Sequence, residues 1–211
     1  MRIRCVDDLL SVVADGPADA QAIAAQLLDT GEWLEVVPGI DSVVVLYDAA
    51  LLDAGVAQET LRAQLENGIV PLPESGDIVQ IPVVYGGEFG PDLDELCRKL
   101  NLSQDDFVAM HTGCDYVVDM VGFTPGFAFV GGLDERLRVP RRKDPRQHVA
   151  AGSIAIADGR TGMYAVASPG GWNLVGRTPS AMFDAEAEEP FPIRAGTRIR
   201  YYAISADEFD A

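Results

Sequence analysis

The sequence has no long apolar run: none approaches the roughly 20 residues that a membrane-spanning helix needs. Asp7 and Asp8 break the apolar segment near the N-terminus, so no secretory signal peptide is expected there. Cysteine is scarce as well, because Cys5, Cys97 and Cys114 are widely separated and odd in number. These absences favour a cytoplasmic protein without a disulfide framework.

Positive charge is also in short supply. The chain has 16 Lys and Arg residues against 33 Asp and Glu residues, so its formal net charge is −17. A surface this acidic is repelled by the phosphates of nucleic acids and by anionic lipids. Neither nucleic acid nor a membrane is therefore expected as a partner.

Motifs for several common chemistries are missing. There is no G-x-x-x-x-G-K-[ST] phosphate loop, and Gly131-Gly132 lacks the spacing of a dinucleotide loop, so no cofactor is expected on this chain. His111 and Cys114 form an H-x-x-C pair, but His148 is the only other histidine, so no metal site is expected. Ser168 lies outside any G-x-S-x-G nucleophile elbow, which argues against a serine hydrolase.

Hydrophobic patterning divides the chain at a linker candidate, residues 68–77, where prolines, glycines and acids separate two periodic regions. We predict an α+β protein with two domains, residues 1–76 and 77–211. In the first, the order ββαββα suggests an antiparallel sheet backed by two helices. Its strands are predicted at residues 3–6, 9–13, 33–37 and 42–47, and its helices from an Asp19 N-cap to Gly31 and from Gln58 to Glu66.

The second domain is predicted to be mostly β with two short helices. Pro82 would place the strand at residues 78–85 at a sheet edge or a bulge, and Ser103 with Asp106 resembles a capping box. Residues 120–178 alternate short β-type runs with glycines and prolines, a density that suggests shaped loops on a β scaffold. Loops on rigid scaffolds often carry binding chemistry, so the candidate site is placed there.

A cluster of cations lies inside this stretch. It could hold a carboxylate or phosphate or dock an acidic partner, or it could be a solvated loop that balances nearby acids. Arg141, Arg146 and Arg177 are candidates to clamp a substrate carboxylate. For Arg177 the alternative is a surface salt bridge to the acidic loop at residues 186–189. The cluster comprises Arg136, Arg138, Arg141, Arg142, Lys143 and Arg146.

Backbone and aromatic groups complete the candidate site. Residues 168–171 could form a nest of amide N–H groups that binds an anion or faces an oxyanion. Trp172 could be an apolar wall for a ligand or part of the core. His111 is a candidate general base; otherwise it is a cation at a helix C-terminus or a hydrogen-bonding group of a pocket.

Several long segments, in the same order and spacing, resemble one bacterial family: the B subunits of 5-oxoprolinase (PxpB), also called KipI or allophanate hydrolase subunit 1. The resemblance extends over nearly the full chain. It rests on IPVVYGGEFGPDLDEL (81–96), GFTPGFAFVGGL (122–133), VPRRKDPRQHVAAGSIAIADGRTGMY (139–164) and SPGGWNLVGRTP (168–179).

The resemblance implies a ferredoxin-like N-terminal domain and a cyclophilin-like β-barrel C-terminal domain. It implies one component of an ATP-dependent 5-oxoprolinase, which opens 5-oxo-L-proline to L-glutamate together with a KipA-like (C-subunit-like) partner and an A-subunit-like partner. The alternative that it implies is a KipI-type protein that inhibits a sensor histidine kinase. Motif positions offered as substrate-binding residues are Pro125, Gly126, Phe127, Arg141, Arg146, Ser168, Gly170, Gly171, Trp172, Arg177 and Thr178.

Overall fold

The computed structural model describes residues 2–72, 76–187 and 190–209 of the chain. They belong to two units, residues 1–74 and 75–211, and each unit is described by itself. The predicted linker at residues 68–77 lies partly outside the described residues. An α+β protein, with a small sheet-and-helix unit followed by a closed β-barrel, confirms the predicted fold class.

The first unit is a four-stranded antiparallel sheet with strand order β1-β2-β4-β3. One face packs on both helices: Leu10, Val12 and Val45 share a buried cluster with Leu27 and Leu61. Full burial of such aliphatic side chains stabilises by about 1.5–3 kcal/mol each. The elements are β1 (Ile3–Val6), β2 (Leu9–Val13), α1 (Pro17–Thr30), β3 (Glu35–Pro38), β4 (Ser42–Leu46) and α2 (Ala54–Leu65).

The helix starts differ from the predicted ones. Helix α1 begins at Pro17 rather than after an Asp19 cap, because proline fixes φ and its missing N–H is not needed in the first turn. The Asp19 carboxylate accepts a hydrogen bond from the Asp15 N–H instead. Helix α2 begins at Ala54, where the Asp53 side chain accepts from two backbone N–H groups. Gly31 ends α1 with φ 66°, as predicted.

The second unit is a closed barrel with strand order β10-β7-β6-β13-β5-β12-β9. A two-stranded sheet of β8 and β11 lies beside it. The strands are β5 (Ile78–Tyr85), β6 (Tyr116–Val121), β7 (Ala128–Gly131), β8 (Arg146–Val149), β9 (Ser153–Ala157), β10 (Arg160–Met163), β11 (Ser168–Gly170), β12 (Asn173–Arg177) and β13 (Arg198–Ala203). The helices are α3 (Leu93–Leu100) and α4 (Gln104–Thr112).

Strand β9 is apolar almost throughout because both of its faces are buried. Ile154 and Ile156 belong to the main core cluster. Ala155 and Ala157 belong to a second cluster that includes Val149 of β8. The small β8–β11 sheet therefore packs on the barrel at this strand.

Pro82 does not lie at a sheet edge, because β5 is part of the closed barrel. It is paired with Tyr202 of the parallel strand β13, while the antiparallel ladder to β12 involves only Val84 and Tyr85. Because Pro82 lies outside the ladder to β12, no backbone N–H is needed there for pairing with β12. The barrel therefore accommodates a proline at this position. The capping box of Ser103 and Asp106 is confirmed, with both reciprocal hydrogen bonds present.

Candidate functional site

A buried carboxylate anchors the basic segment that we call the arginine loop, residues 139–146. Asp92 is only 4% exposed, and its two oxygens accept hydrogen bonds from Arg142 at 2.8 Å and from both terminal nitrogens of Arg146 at 2.8 Å each. The N–H of Leu174 donates a further bond of 2.7 Å. A buried charge is tolerated only when paired in this way, so Asp92 fixes the loop against β12.

This anchor corrects the role predicted for Arg146. Its guanidinium is already paired through two hydrogen bonds with Asp92, and its side chain is only 24% exposed. A substrate carboxylate would have to displace a buried internal carboxylate that has two other donors. Arg146 is therefore a structural partner of Asp92 rather than a free clamp.

Arg141 lies in the same loop but is exposed. Its Nε donates to Asp158 at 3.0 Å, in an ion pair whose two side chains are both more than half exposed. The guanidinium carbon also lies 5.8 Å from the ring centre of Trp172. Exposed pairs contribute little to stability, so Arg141 can change partners at low cost and is available to an anionic ligand.

A cleft of about 400 Å³ opens beside this loop, and we call it the cationic cleft. Lys143 is exposed there, and it has no ion-pair partner among the residues that the structure describes. Asn173 lies at its base, where its amide donates to the carbonyls of Pro140 and Ile156. The cleft is lined by Asp92, Glu95, Leu96, Lys99, Val139, Pro140, Arg141, Arg142, Lys143, Asp144 and Asn173.

Trp172 belongs to a buried aromatic cluster, in agreement with the core interpretation. Its ring lies 5.5 Å from that of Phe127 and makes edge contacts with Phe129 as well. Tyr164 packs edge-on against Phe127 at 4.8 Å, and burial raises the pKa of the Tyr164 phenol. Phe127 and Trp172 are therefore core residues, and neither lines the cationic cleft.

The predicted anion nest at residues 168–171 is wrong, because Ser168–Gly170 is a β-strand paired with β8. A nest needs alternating right- and left-handed backbone. Gly170 is needed for packing: a Cβ there would lie 2.1 Å from the Tyr164 hydroxyl oxygen. The Gly171 carbonyl accepts from the Arg142 N–H at 2.8 Å, so this segment supports the arginine loop. The Ser168 hydroxyl is buried without a partner among the described residues.

Pro125 and Gly126 line a separate cleft of about 610 Å³, which we call the apolar cleft. Phe123 lies on its rim, 70% exposed and with a positive φ of 74°, a strained conformation for an aromatic residue. Across the cleft lie Phe191 and Ile193. This cleft has a single cationic lining residue among the described residues, Arg194, so its chemistry differs from that of the cationic cleft.

Arg177 and Thr178 line neither cleft. The Arg177 Nε donates to the Ala151 carbonyl at 2.8 Å, and its guanidinium carbon lies 5.5 Å from the Phe209 ring centre. Thr178 is buried, and its hydroxyl accepts from the Ser180 N–H. Of the acidic loop proposed to pair with Arg177, residues 188 and 189 lie outside the described residues.

His111 is buried and neutral, which contradicts its assignment as a helix C-terminal cation. Desolvation lowers its pKa from 6.5 to about 3. The Thr161 hydroxyl donates to the Ala155 carbonyl, so it accepts from His111 Nε2 at 3.1 Å. Nδ1 then accepts from the Tyr85 hydroxyl at 2.7 Å, whose pKa is also raised by burial. A group this weakly basic that lines neither cleft is a poor general base.

Three residues of the cationic cleft were not singled out from the sequence for this role. Lys143 was counted only as part of the basic run, and Asp92 was assigned no role in the site. Asn173 carried no signal of its own. Within the described ranges 2–72, 76–187 and 190–209, no cluster of His, Cys, Asp and Glu could hold a metal ion, and no helix there is long and apolar enough to cross a membrane.

Comparison with known proteins agrees with the motifs. The family model of the carboxyltransferase domain, subdomain C and D, matches residues 11–193. The B subunit of 5-oxoprolinase from Bacillus subtilis (strain 168) is 38% identical over 189 residues, covering 85% of this chain and 79% of that protein. Its counterpart from Escherichia coli O157:H7 is 39% identical over 182 residues, covering 85% of this chain and 82% of that protein.

Solved structures share the fold. The structure of TTHA0988 has a TM-score of 0.79 and 33% identity, covering 97% of this chain and 41% of that one, so this chain spans about two fifths of its length. The urea carboxylase of Kluyveromyces lactis has a TM-score of 0.77 at 19% identity, covering 99% of this chain and 22% of that one, and shows a shared fold alone. The family-model match and the identity to both B subunits show that this chain belongs to the 5-oxoprolinase B-subunit family, with the carboxyltransferase domain, subdomain C and D.

Proposed function

We propose that this chain is one component of an ATP-dependent 5-oxoprolinase, which hydrolyses 5-oxo-L-proline to L-glutamate. The observation that carries this proposal is the 38–39% identity to two proteins named as B subunits of 5-oxoprolinase across 85% of the chain. The proposed partners are a KipA-like (C-subunit-like) protein and an A-subunit-like protein. Because this sequence contains no phosphate loop, ATP is assigned to another component of the complex, and no cofactor is assigned to this chain.

The cationic cleft is the proposed point of substrate contact on this chain. 5-Oxoproline combines a carboxylate with a five-membered lactam, so it needs a cationic clamp in a small, partly polar site. Arg141 and Lys143 supply that clamp, because Arg142 and Arg146 are paired with buried Asp92. Arg141 exchanges its exposed partner Asp158 for the substrate carboxylate.

The contribution of this clamp is binding and orientation. A hydrogen bond to a charged group is worth about 1.5–3 kcal/mol. Two such contacts would hold the substrate at the site in a fixed orientation. An unstrained lactam is not opened by positioning alone, and the activation of its carbonyl is therefore assigned to ATP on a partner protein. His111, whose pKa is lowered by burial, is not needed as a proton acceptor in this scheme.

The test is ATP-dependent release of glutamate from 5-oxo-L-proline by this chain produced together with its A-subunit-like and KipA-like partners. Each of the three chains is omitted in turn. The proposal predicts that glutamate release is lost when this chain alone is missing and returns when the purified chain is added back.

Full activity without this chain would contradict the proposal. It would leave inhibition of a sensor histidine kinase as the function to examine, by autophosphorylation assays with the chain added. If the three chains together release no glutamate, the family assignment stands, but 5-oxo-L-proline is not the substrate.

A further inference from the structure

The first unit carries a largely apolar sheet face on the side opposite its helices. Strand pairing sets Leu9 beside Leu46 and beside Val6, and Val37 beside Val44. Directly paired residues share a face of a sheet, and the alternate residues of each strand, such as Leu10, are buried under the helices. The face opposite the helices, which we call the outer sheet face, therefore presents Val6, Leu9, Val13, Val37, Val44 and Leu46. Arg4, Ser11, Glu35 and Ser42 share this face with them.

Four apolar side chains of this face are exposed to solvent among the described residues. Val6, Leu9, Val13 and Val37 are between 41% and 65% exposed, whereas an antiparallel sheet with one solvated face normally places polar residues there. Four strands about 4.8 Å apart and about five residues long give a patch of roughly 300 Å². The largest patch of a typical monomer is about this size and is often functional, although a stable interface needs about 800 Å² per partner. The surrounding rim must then take part in binding.

The rim is acidic at both ends of the strands. Asp7 and Asp8 are exposed at the β1–β2 turn, and Asp41 is exposed at the turn before β4. The whole unit has 3 Lys and Arg residues against 13 Asp and Glu residues. Any two-fold pairing of this face with a second copy would set acidic ends against acidic ends, which like-charge repulsion opposes. The charge therefore favours a different protein whose apolar patch is bordered by Lys and Arg.

We propose that the outer sheet face is the docking surface for another protein of the complex, one that presents an apolar patch with a basic rim. The identification of that partner as the KipA-like protein rests on the proposed function. The face itself and the charge of its occupant rest on strand register, exposure and charge. Docking buries the six apolar side chains and pairs the acids of the two turns with cations of the partner.

Lysine substitutions on the face test the proposal. Val37→Lys and Leu9→Lys are compared with Leu28→Lys, an equally conservative control on helix α1 where the leucine is 59% exposed. Affinity for the purified KipA-like protein is measured by biolayer interferometry on the full chain, with thermal melts to verify folding. A charge placed within an apolar interface is expected to raise Kd about tenfold or more in each face variant, with the control within about twofold of wild type.

The salt dependence of binding distinguishes the proposed partner protein from a second copy of this chain. Raising NaCl from about 50 mM to about 300 mM should weaken the heteromeric association, because it screens opposite charges, whereas it should promote self-association of like-charged faces. Equal affinity of all three variants and wild type would overturn the proposal. Failure of the wild-type chain to bind the KipA-like protein, or a salt-promoted homodimer lost in Val37→Lys, would overturn it too.

Glutamate release by the same preparations keeps the two proposals apart. Weakened docking in the face variants, with no glutamate release even by the wild-type set, would support the docking surface and contradict the 5-oxoprolinase assignment. Normal docking by the face variants together with full glutamate release would contradict the docking surface and support the 5-oxoprolinase assignment.

Discussion

The arginine loop contains arginines in two different environments, one beside a buried carboxylate and one beside an exposed carboxylate. Arg142 and Arg146 point to Asp92, which is buried and accepts four hydrogen bonds. Arg141 points to Asp158 in an exposed pair with one hydrogen bond. The difference divides the cation cluster into arginines that hold the fold and an exposed arginine that is available to a ligand. Burial of the partner carboxylate decides to which group each arginine belongs.

The largest expected effect comes from Asp92→Asn. This change keeps the size of the side chain but leaves two guanidinium groups without their counter-charge in a partly buried site. Breaking a buried ion pair in this way costs about 3–5 kcal/mol, so the free energy of unfolding measured in urea should fall by that amount. Asp158→Asn is the matched control: its pair is exposed, so its cost should stay below about 1 kcal/mol. Equal costs would remove the distinction.

Protonation of His111 gives the next largest effect. Its pKa is about 3 in the fold and 6.5 when unfolded, so below pH 6.5 the unfolded state binds a proton that the folded state does not. The stabilisation is complete above pH 6.5 and is lost as pH falls toward 3, with a slope of up to about 1.4 kcal/mol per pH unit. Between pH 7 and pH 5 the wild type should lose about 2 kcal/mol more than His111→Gln, which does not titrate. Parallel losses would mean that His111 is not buried as a neutral group.

A smaller effect is expected on substrate affinity when Arg141 is released from its internal partner. Asp158→Asn removes the anion that competes with the substrate for this guanidinium, and asparagine tolerates the positive φ of 51° at this position. An exposed pair is worth up to about 1 kcal/mol, so KM for 5-oxoproline in the complete complex should fall about twofold to fivefold. An increase in KM would show instead that Asp158 itself helps to bind substrate.

The smallest effect is expected at the apolar cleft. Phe123→Gly removes an exposed aromatic side chain from a left-handed backbone position, where glycine carries no steric penalty. The free energy of unfolding should change by no more than about 1 kcal/mol, and KM for 5-oxoproline should stay within about twofold of wild type. A tenfold rise in KM would place the substrate in the apolar cleft, despite its scarcity of cations.

The sequence was sufficient to predict the pattern of elements because their signals are local. The ββαββα order, Gly31 at a helix end and the Ser103–Asp106 box each depend on neighbouring residues, and all are present. The helix starts at Pro17 and Ala54 were missed because the apolar periodicity that predicts each helix begins after its first residues.

The candidate site was only partly predictable because its partners are distant in the sequence. Asp92 lies about fifty residues before Arg142, and nothing in either segment signals the pairing. The segment at residues 168–171 has the composition of a turn, yet its pairing with β8 makes it a strand. Burial of His111 likewise depends on packing against Phe107 and Tyr201, which no local pattern reveals.

The most direct measurement of the account is the KM for 5-oxo-L-proline of the complete complex carrying Arg141→Ala with Lys143→Ala. The control carries Arg136→Ala with Arg138→Ala, which removes the same charge from the same basic run without touching either cleft. The account predicts a KM raised about tenfold or more with kcat within about twofold, while the control stays near wild type. A KM equal to that of the control would show that the cationic cleft does not hold the substrate carboxylate.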